Sequence, residues 1–173
     1  MLLLSAAPLT APAPSARAAE PPRFEPGDTI EGEMLAHDGD TLERLVGGEI
    51  VGPRIRLHGI TAPEMDTIEG WYARAMLDVL IRDSHVRCEV VSRDRHKRPV
   101  AVCGAKAPDG QGPDDLAATL LVFGYAATWR RYLQEAPRRR RDLYLDLEAR
   151  AIAAGNGLWG LAPQDLPTLL APE

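Results

Sequence analysis

Two short segments constrain this chain more than anything else in it. Val86-Arg87-Cys88-Glu89-Val90-Val91 and Val100-Ala101-Val102-Cys103 are rich in β-branched residues, alternate along their length, and each carry one of the two cysteines. Such runs read as strands. With Asp94-Arg95-His96-Lys97 as a four-residue loop they form a hairpin in which Arg93 pairs with Arg98. The same register sets Cys88 directly opposite Cys103. Cross-strand Cα atoms about 4.5–5.5 Å apart fall within the disulfide range. The closed loop would then stabilise the fold by roughly 3 kcal/mol in the chain-entropy model. A pair of free buried thiols is the alternative. Neither cysteine has a ligand-spaced neighbour, which argues against zinc.

The rest of the pattern supplies more strands and some helices. Residues 29–36 read as a first strand ending at the Asp38-Gly39 turn. Thr41 to Val46 is a second strand, Gly47-Gly48 a hairpin turn, and Ile50 to Ile60 a third strand. Ala73, Met76, Leu77, Leu80 and Ile81 recur at helical spacing, which predicts an amphipathic helix from Ile68 to Arg82. Asp114 caps a helix that runs through Phe123 and stops at Gly124. Pro137 to Ala154 is a long helix closed by Gly155. Three strands, a helix, two strands and two helices are compatible with a small closed barrel.

Composition bounds the rest. The chain has 173 residues, 45% of them apolar, enough for one domain with a real core and short for two. No run of 18 apolar residues is present, so no transmembrane helix is expected. Residues 1–22 form a separate segment of Ala, Pro, Ser and Leu, in which Ala16-Arg17-Ala18 resembles an A-x-A cleavage site. That segment is expected to be an export signal or a disordered leader, and a disulfide suits an exported protein. The domain is expected over 28–160, with a frayed tail over 161–173. The net charge of −5 is unusual for a nucleic-acid binder. Basic residues nevertheless cluster at 93–98, 130–131 and 138–141, and a local patch can bind phosphate on an acidic protein.

Three segments fit together chemically: His37-Asp38-Gly39-Asp40-Thr41, Arg54 through Glu64, and Asp94-Arg95-His96-Lys97-Arg98. They offer a carboxylate suited to a hard cation (Asp40), a general base (Glu64) and two guanidinium groups (Arg56, Arg98). Cleaving a phosphodiester asks for an activated water, neutralised phosphate charge and stabilisation of the charge built up in the transition state. Arginine serves that last need because its planar fork donates two parallel hydrogen bonds. Trp129 and Tyr132, beside Arg130 and Arg131, could stack on single-stranded bases or pack the rim. The Arg138-to-Arg141 run opens a helix, where the dipole disfavours cations, and reads first as a solvated face.

These segments resemble the staphylococcal (micrococcal) nuclease family, or thermonucleases. The family reads D-G-D-T, then R-L-x-G-I-D-A-P-E, then a hairpin tip D-x-Y-G-R. The counterparts here are Asp38 to Thr41, Arg56 to Glu64, and Asp94 to Arg98, followed by Glu148-Ala149-Arg150 and Gly157-Leu158-Trp159. The resemblance runs from about Thr29 to Gly160. It implies an α+β, mainly β fold: a five-stranded OB-fold barrel with three packed helices. It further implies a calcium-dependent nuclease acting on DNA or RNA, single-stranded or frayed, with products that carry a 3′-phosphate. The alternative is a catalytically weak or inactive relative that serves as a single-stranded nucleic-acid-binding or protein-interaction module, and in either case a monomer is expected. Arg56, Glu64 and Arg98 would be catalytic, Asp40 and Thr61 would face the metal, and Arg95 and His96 would contact the strand. The family's metal-binding aspartate is Thr61 here, and its hairpin Tyr-Gly is His96-Lys97. Calcium affinity follows ligand charge, so one missing carboxylate predicts a weak site.

Overall fold

A computed structural model describes residues 22–161. The leader expected over 1–22 and the tail expected over 161–173 lie almost wholly outside those residues. Five strands close into a barrel: β1 (Thr29–Ala36), β2 (Thr41–Val46), β3 (Glu49–Leu57), β5 (His85–Arg93) and β6 (Pro99–Lys106), in the order β1-β2-β3-β6-β5. All neighbours are antiparallel except β3 and β6, which run parallel. A second, two-stranded pair joins β4 (Ile60–Thr61) to β7 (Ala127–Thr128). The helices are α1 (Ile68–Ile81), α2 (Leu116–Phe123), α3 (Arg130–Leu133), α4 (Arg138–Ala154) and α5 (Leu158–Leu161). The OB-type barrel matches expectation. Two single-turn helices, α3 and α5, and the β4–β7 pair add to it.

Local chemistry explains most of the elements. Gly47 and Gly48 both have positive φ, at 61° and 85°, which a tight β2–β3 turn needs and L side chains resist. Thr67 caps α1: its hydroxyl accepts from Gly70 N at 3.0 Å. The cap of α2 is Asp115, accepting from Ala118 N at 3.1 Å, and not Asp114. Asp114 instead meets Lys106. Inward residues of all five barrel strands, such as Ile30, Leu42, Ile55, Val86 and Ala101, fill the barrel. Leu77, Leu120 and Tyr144 seal it from the helical side. The third strand is shorter than expected. It ends at Leu57, and the chain turns at His58-Gly59 before entering β4.

The hairpin of β5 and β6 pairs Cys88 with Cys103, and the two are bridged. One part of the expected register differs. A bulge between Val90 and Ser92 shifts the pairing by one, so Arg93 faces Pro99 and Arg98 falls in the loop. The shift releases Arg98 from the ladder, so its side chain can serve the site. Replacing both cysteines by alanine should lower the unfolding free energy by about 3 kcal/mol. Urea denaturation with and without the pair measures this, and equal midpoints would contradict it.

Candidate active site

Each site residue is held by a distinct local device. Asp40 follows the Asp38 turn, in which Asp38 Oδ1 accepts from Asp40 N at 2.9 Å. Asp40 is buried. Its Oδ1 accepts from an Arg56 guanidinium nitrogen and from Thr41 Oγ1, and its Oδ2 accepts from Ala62 N at 2.8 Å. Burial pushes the Asp40 carboxyl up to about 7, with the Arg56 charge pulling it back and Asp38 adding to the rise. Arg56 lies on β3. It also donates to Ile60 O at 3.3 Å, and its guanidinium carbon sits 4.8 Å from the centre of the Trp129 ring. Arg54, two residues earlier, is not part of the site: it pairs with Glu43 at the surface.

Glu64 is fixed through its backbone. Its carbonyl accepts from Thr67 Oγ1 at 2.7 Å and from Thr67 N at 3.1 Å. The start of α1 presses so close that a Cβ on Gly70 would lie 2.0 Å from the Glu64 carbonyl oxygen. Glu64 is exposed, and its carboxylate has no protein partner among the described residues. Arg98 is held by Asp94, whose Oδ2 accepts from Arg98 Nε at 2.7 Å. Asp94 Oδ1 also takes the backbone N–H groups of His96 and Arg98, each at 2.9 Å. Partial burial would raise the Asp94 carboxyl, but the Arg98 side chain, these N–H groups and the Arg98 charge outweigh it and hold it below the usual carboxylate range. Lys97, in the position of the family's glycine, has φ of 64°.

These groups meet. Arg56, Thr61, Glu64, Arg95, His96, Arg98, Trp129 and Tyr132 all line one cavity of about 140 Å³, together with Asp94. Asp40 lies a layer deeper, behind Arg56. Every strand-contacting candidate named from the sequence is therefore on the wall. Trp129 is not a free platform, however. Arg56 covers one face of its ring, and Tyr132 packs edge-on at 4.4 Å. At the hairpin tip Arg95 Nε donates to His96 Nε2 at 3.0 Å. Asp94 is the residue whose role the sequence reading missed. Its signal was its position four residues before Arg98, within reach across a tight loop.

The donor set fits a calcium ion only as a weak site. Calcium takes about six to eight oxygen ligands, and its affinity follows their charge. Asp40 contributes one carboxylate, already countered by Arg56. Thr61 lines the cavity with a hydroxyl that makes no hydrogen bond among the described residues. No group of three or more His, Cys, Asp or Glu side chains able to hold a metal is gathered among the described residues. Water and the substrate's own phosphate oxygens would have to complete the shell.

A closed five-stranded barrel with a cavity edged by two arginines and a free carboxylate defines a nuclease-like or nucleic-acid-binding module. The family model of the staphylococcal nuclease homologues matches residues 54–160, more than half of the chain, and the chain belongs to that family. The match spans Arg56, Thr61, Glu64, Arg98 and both cysteines, while Asp40 precedes it. No curated protein matches the chain. None of the described helices is long and apolar enough to cross a membrane.

Proposed function

We propose that this protein is a nuclease that hydrolyses phosphodiester bonds of DNA and RNA, with calcium as a weakly held cofactor. The observation that carries this reading is the single cavity shared by Arg56, Arg98 and an unpaired Glu64. A phosphodiester seated between the two guanidinium groups has its charge neutralised from two sides. Each guanidinium carries five N–H donors, more than its contacts to Asp40 and Ile60 or to Asp94 use, and the remainder would donate to the charge that develops on the non-bridging oxygens. Glu64, free of any protein partner, takes the proton of the attacking water. Calcium, reached by the Thr61 hydroxyl on the cavity wall and by Asp40 once its carboxylate is released from Arg56, would add Lewis-acid polarisation of a phosphoryl oxygen. The small cavity and the aromatic pair Trp129 and Tyr132 on its wall favour a single or frayed strand over an intact duplex. By family resemblance the product carries a 3′-phosphate. The Cys88–Cys103 bridge supports an exported protein, where millimolar calcium can fill a weak site. We take the protein to act as a monomer.

A second reading has its own support: the Asp40–Arg56 pair and the neutral Thr61 favour a module that binds single strands with little turnover. Digestion of plasmid DNA and RNA with calcium, and with EGTA in its place, separates the two. Glu64→Gln should lower turnover by at least about tenfold, since a positioned base typically supplies ~10²–10⁴. Its affinity for a single-stranded oligonucleotide should stay near wild type. Wild-type turnover in Glu64→Gln would remove Glu64 from the mechanism.

A further inference from the structure

We infer that Glu148 is a positioning residue for Arg56, acting through Thr128 and Trp129 and never touching the strand. Its catalytic consequence rests on the nuclease reading; its geometry does not. Charged side chains are almost never buried unless paired, yet Glu148 is only 7% exposed, in the middle of α4. Both of its oxygens are spent on one residue. Oε1 accepts from Thr128 N at 2.7 Å, and Oε2 accepts from Thr128 Oγ1 at 2.8 Å. Arg130 Nη2 lies 3.6 Å from Oε2 and supplies a partial countercharge from the solvent side.

Thr128 is half of a strand. β7 has two residues and pairs only with β4, which also has two. Isolated two-stranded pairs are marginal even when longer, so this one needs an external fastening. Glu148 supplies it from a helix of 17 residues. What the pair carries is the seat of Arg56. Trp129 follows Thr128 directly, its N–H bonds Gly59 O at 2.9 Å, and its ring covers the Arg56 guanidinium. Ile60, opposite Thr128, provides the carbonyl that accepts from Arg56 Nη2. Two of the three contacts that aim Arg56 come from the β4–β7 pair and the residue after it, and the third, Asp40, is itself held by Ala62 N just past β4. A guanidinium displaced by about 1 Å from a developing charge can cost ~10²-fold in rate.

The test is a double-mutant cycle on the full chain, read as turnover of single-stranded DNA in calcium. Glu148→Ala should lower turnover at least about tenfold through misplacement of Arg56. Glu148→Gln should stay within about threefold, because its amide can still accept from Thr128 N–H and donate to Thr128 Oγ1. In an Arg56→Met background, Glu148→Ala should change the residual rate by less than about twofold, the mark of residues acting as one unit. An equal loss in both backgrounds would mean a general structural role and would overturn the inference. Proton–nitrogen NMR gives a readout without activity. The Arg56 Nε–H and Trp129 indole resonances should shift in Glu148→Ala and hold in Glu148→Gln. Unmoved resonances in folded Glu148→Ala would also overturn it. If Glu148→Ala does not fold, Thr128→Val removes the hydroxyl bond alone, and the same resonances decide. A wild type that cleaves nothing would defeat the nuclease reading while the resonances still test this one.

Discussion

Arg56→Met should cut turnover by ~10²–10³, the cost of removing one positioned donor from a developing oxyanion. The change keeps most of the side chain's bulk and deletes only the fork. It should also weaken the fold. Arg56 neutralises Asp40 in a buried pair whose side chains are 13% and 4% exposed, and stranding one partner of such a pair costs about 3–5 kcal/mol. The second loss depends on pH in a definite direction. Burial already raises the Asp40 carboxyl above its value in the unfolded chain, and removing Arg56 raises it further. An acid whose folded pKa is raised destabilises the fold above its unfolded pKa. That penalty fades as pH falls through the folded pKa. The deficit of Arg56→Met should therefore be large at pH 8 and shrink towards pH 5, as urea titrations of both proteins would reveal. A deficit that does not change with pH would mean that Asp40 is not the stranded partner.

Thr61→Asp should lower the calcium half-saturation point by at least about tenfold, since affinity follows the number of ligand charges. Thr61 is buried on the cavity wall, one residue before the Ala62 N–H that holds Asp40. The new carboxylate would enter the site near Asp40, whose charge Arg56 already balances. Without calcium the variant should be less stable than wild type. Saturating calcium should then raise its melting temperature more than it raises that of wild type, because a ligand that binds only the folded state stabilises by about 2.7 kcal/mol at a hundred times its Kd. Thermal melts across a calcium series test this whether or not the protein turns over DNA. Identical calcium responses in the two proteins would mean that residue 61 does not face the ion.

What was legible in the sequence was whatever local chemistry encodes. β1, β2 and α1 follow from period and turn residues, and the Gly47-Gly48 hairpin from the backbone that two glycines allow. The bridge followed from register, because it lies on the side of the bulge where pairing is still in step. Beyond Val91 that logic failed for Arg98, since one unpaired residue leaves no mark in the pattern. Asp115 displaced Asp114 as a cap because both are aspartates and only the entry of the chain into α2 chooses between them. The contact of Trp129 with Arg56 had no local signal at all. It is carried by two strands of two residues each, joined from distant parts of the chain.

The barrel has one narrow seam. β6 meets β5 over eight register pairs with a covalent bridge among them, but it meets β3 over two, Arg56 with Val100 and Leu57 with Ala101. Pro99 has no N–H with which to lengthen it. If the cylinder opens, β6 should stay with β5, and the lips that part should be those of β3 and β6. Arg56 stands on one lip, and Arg98, just ahead of β6, on the other. A phosphate held by both, as the proposed site would hold it, would act as a suture across the gap. The amides of this seam should then be the first in the sheet to trade their hydrogens with solvent, and the most protected by a bound strand.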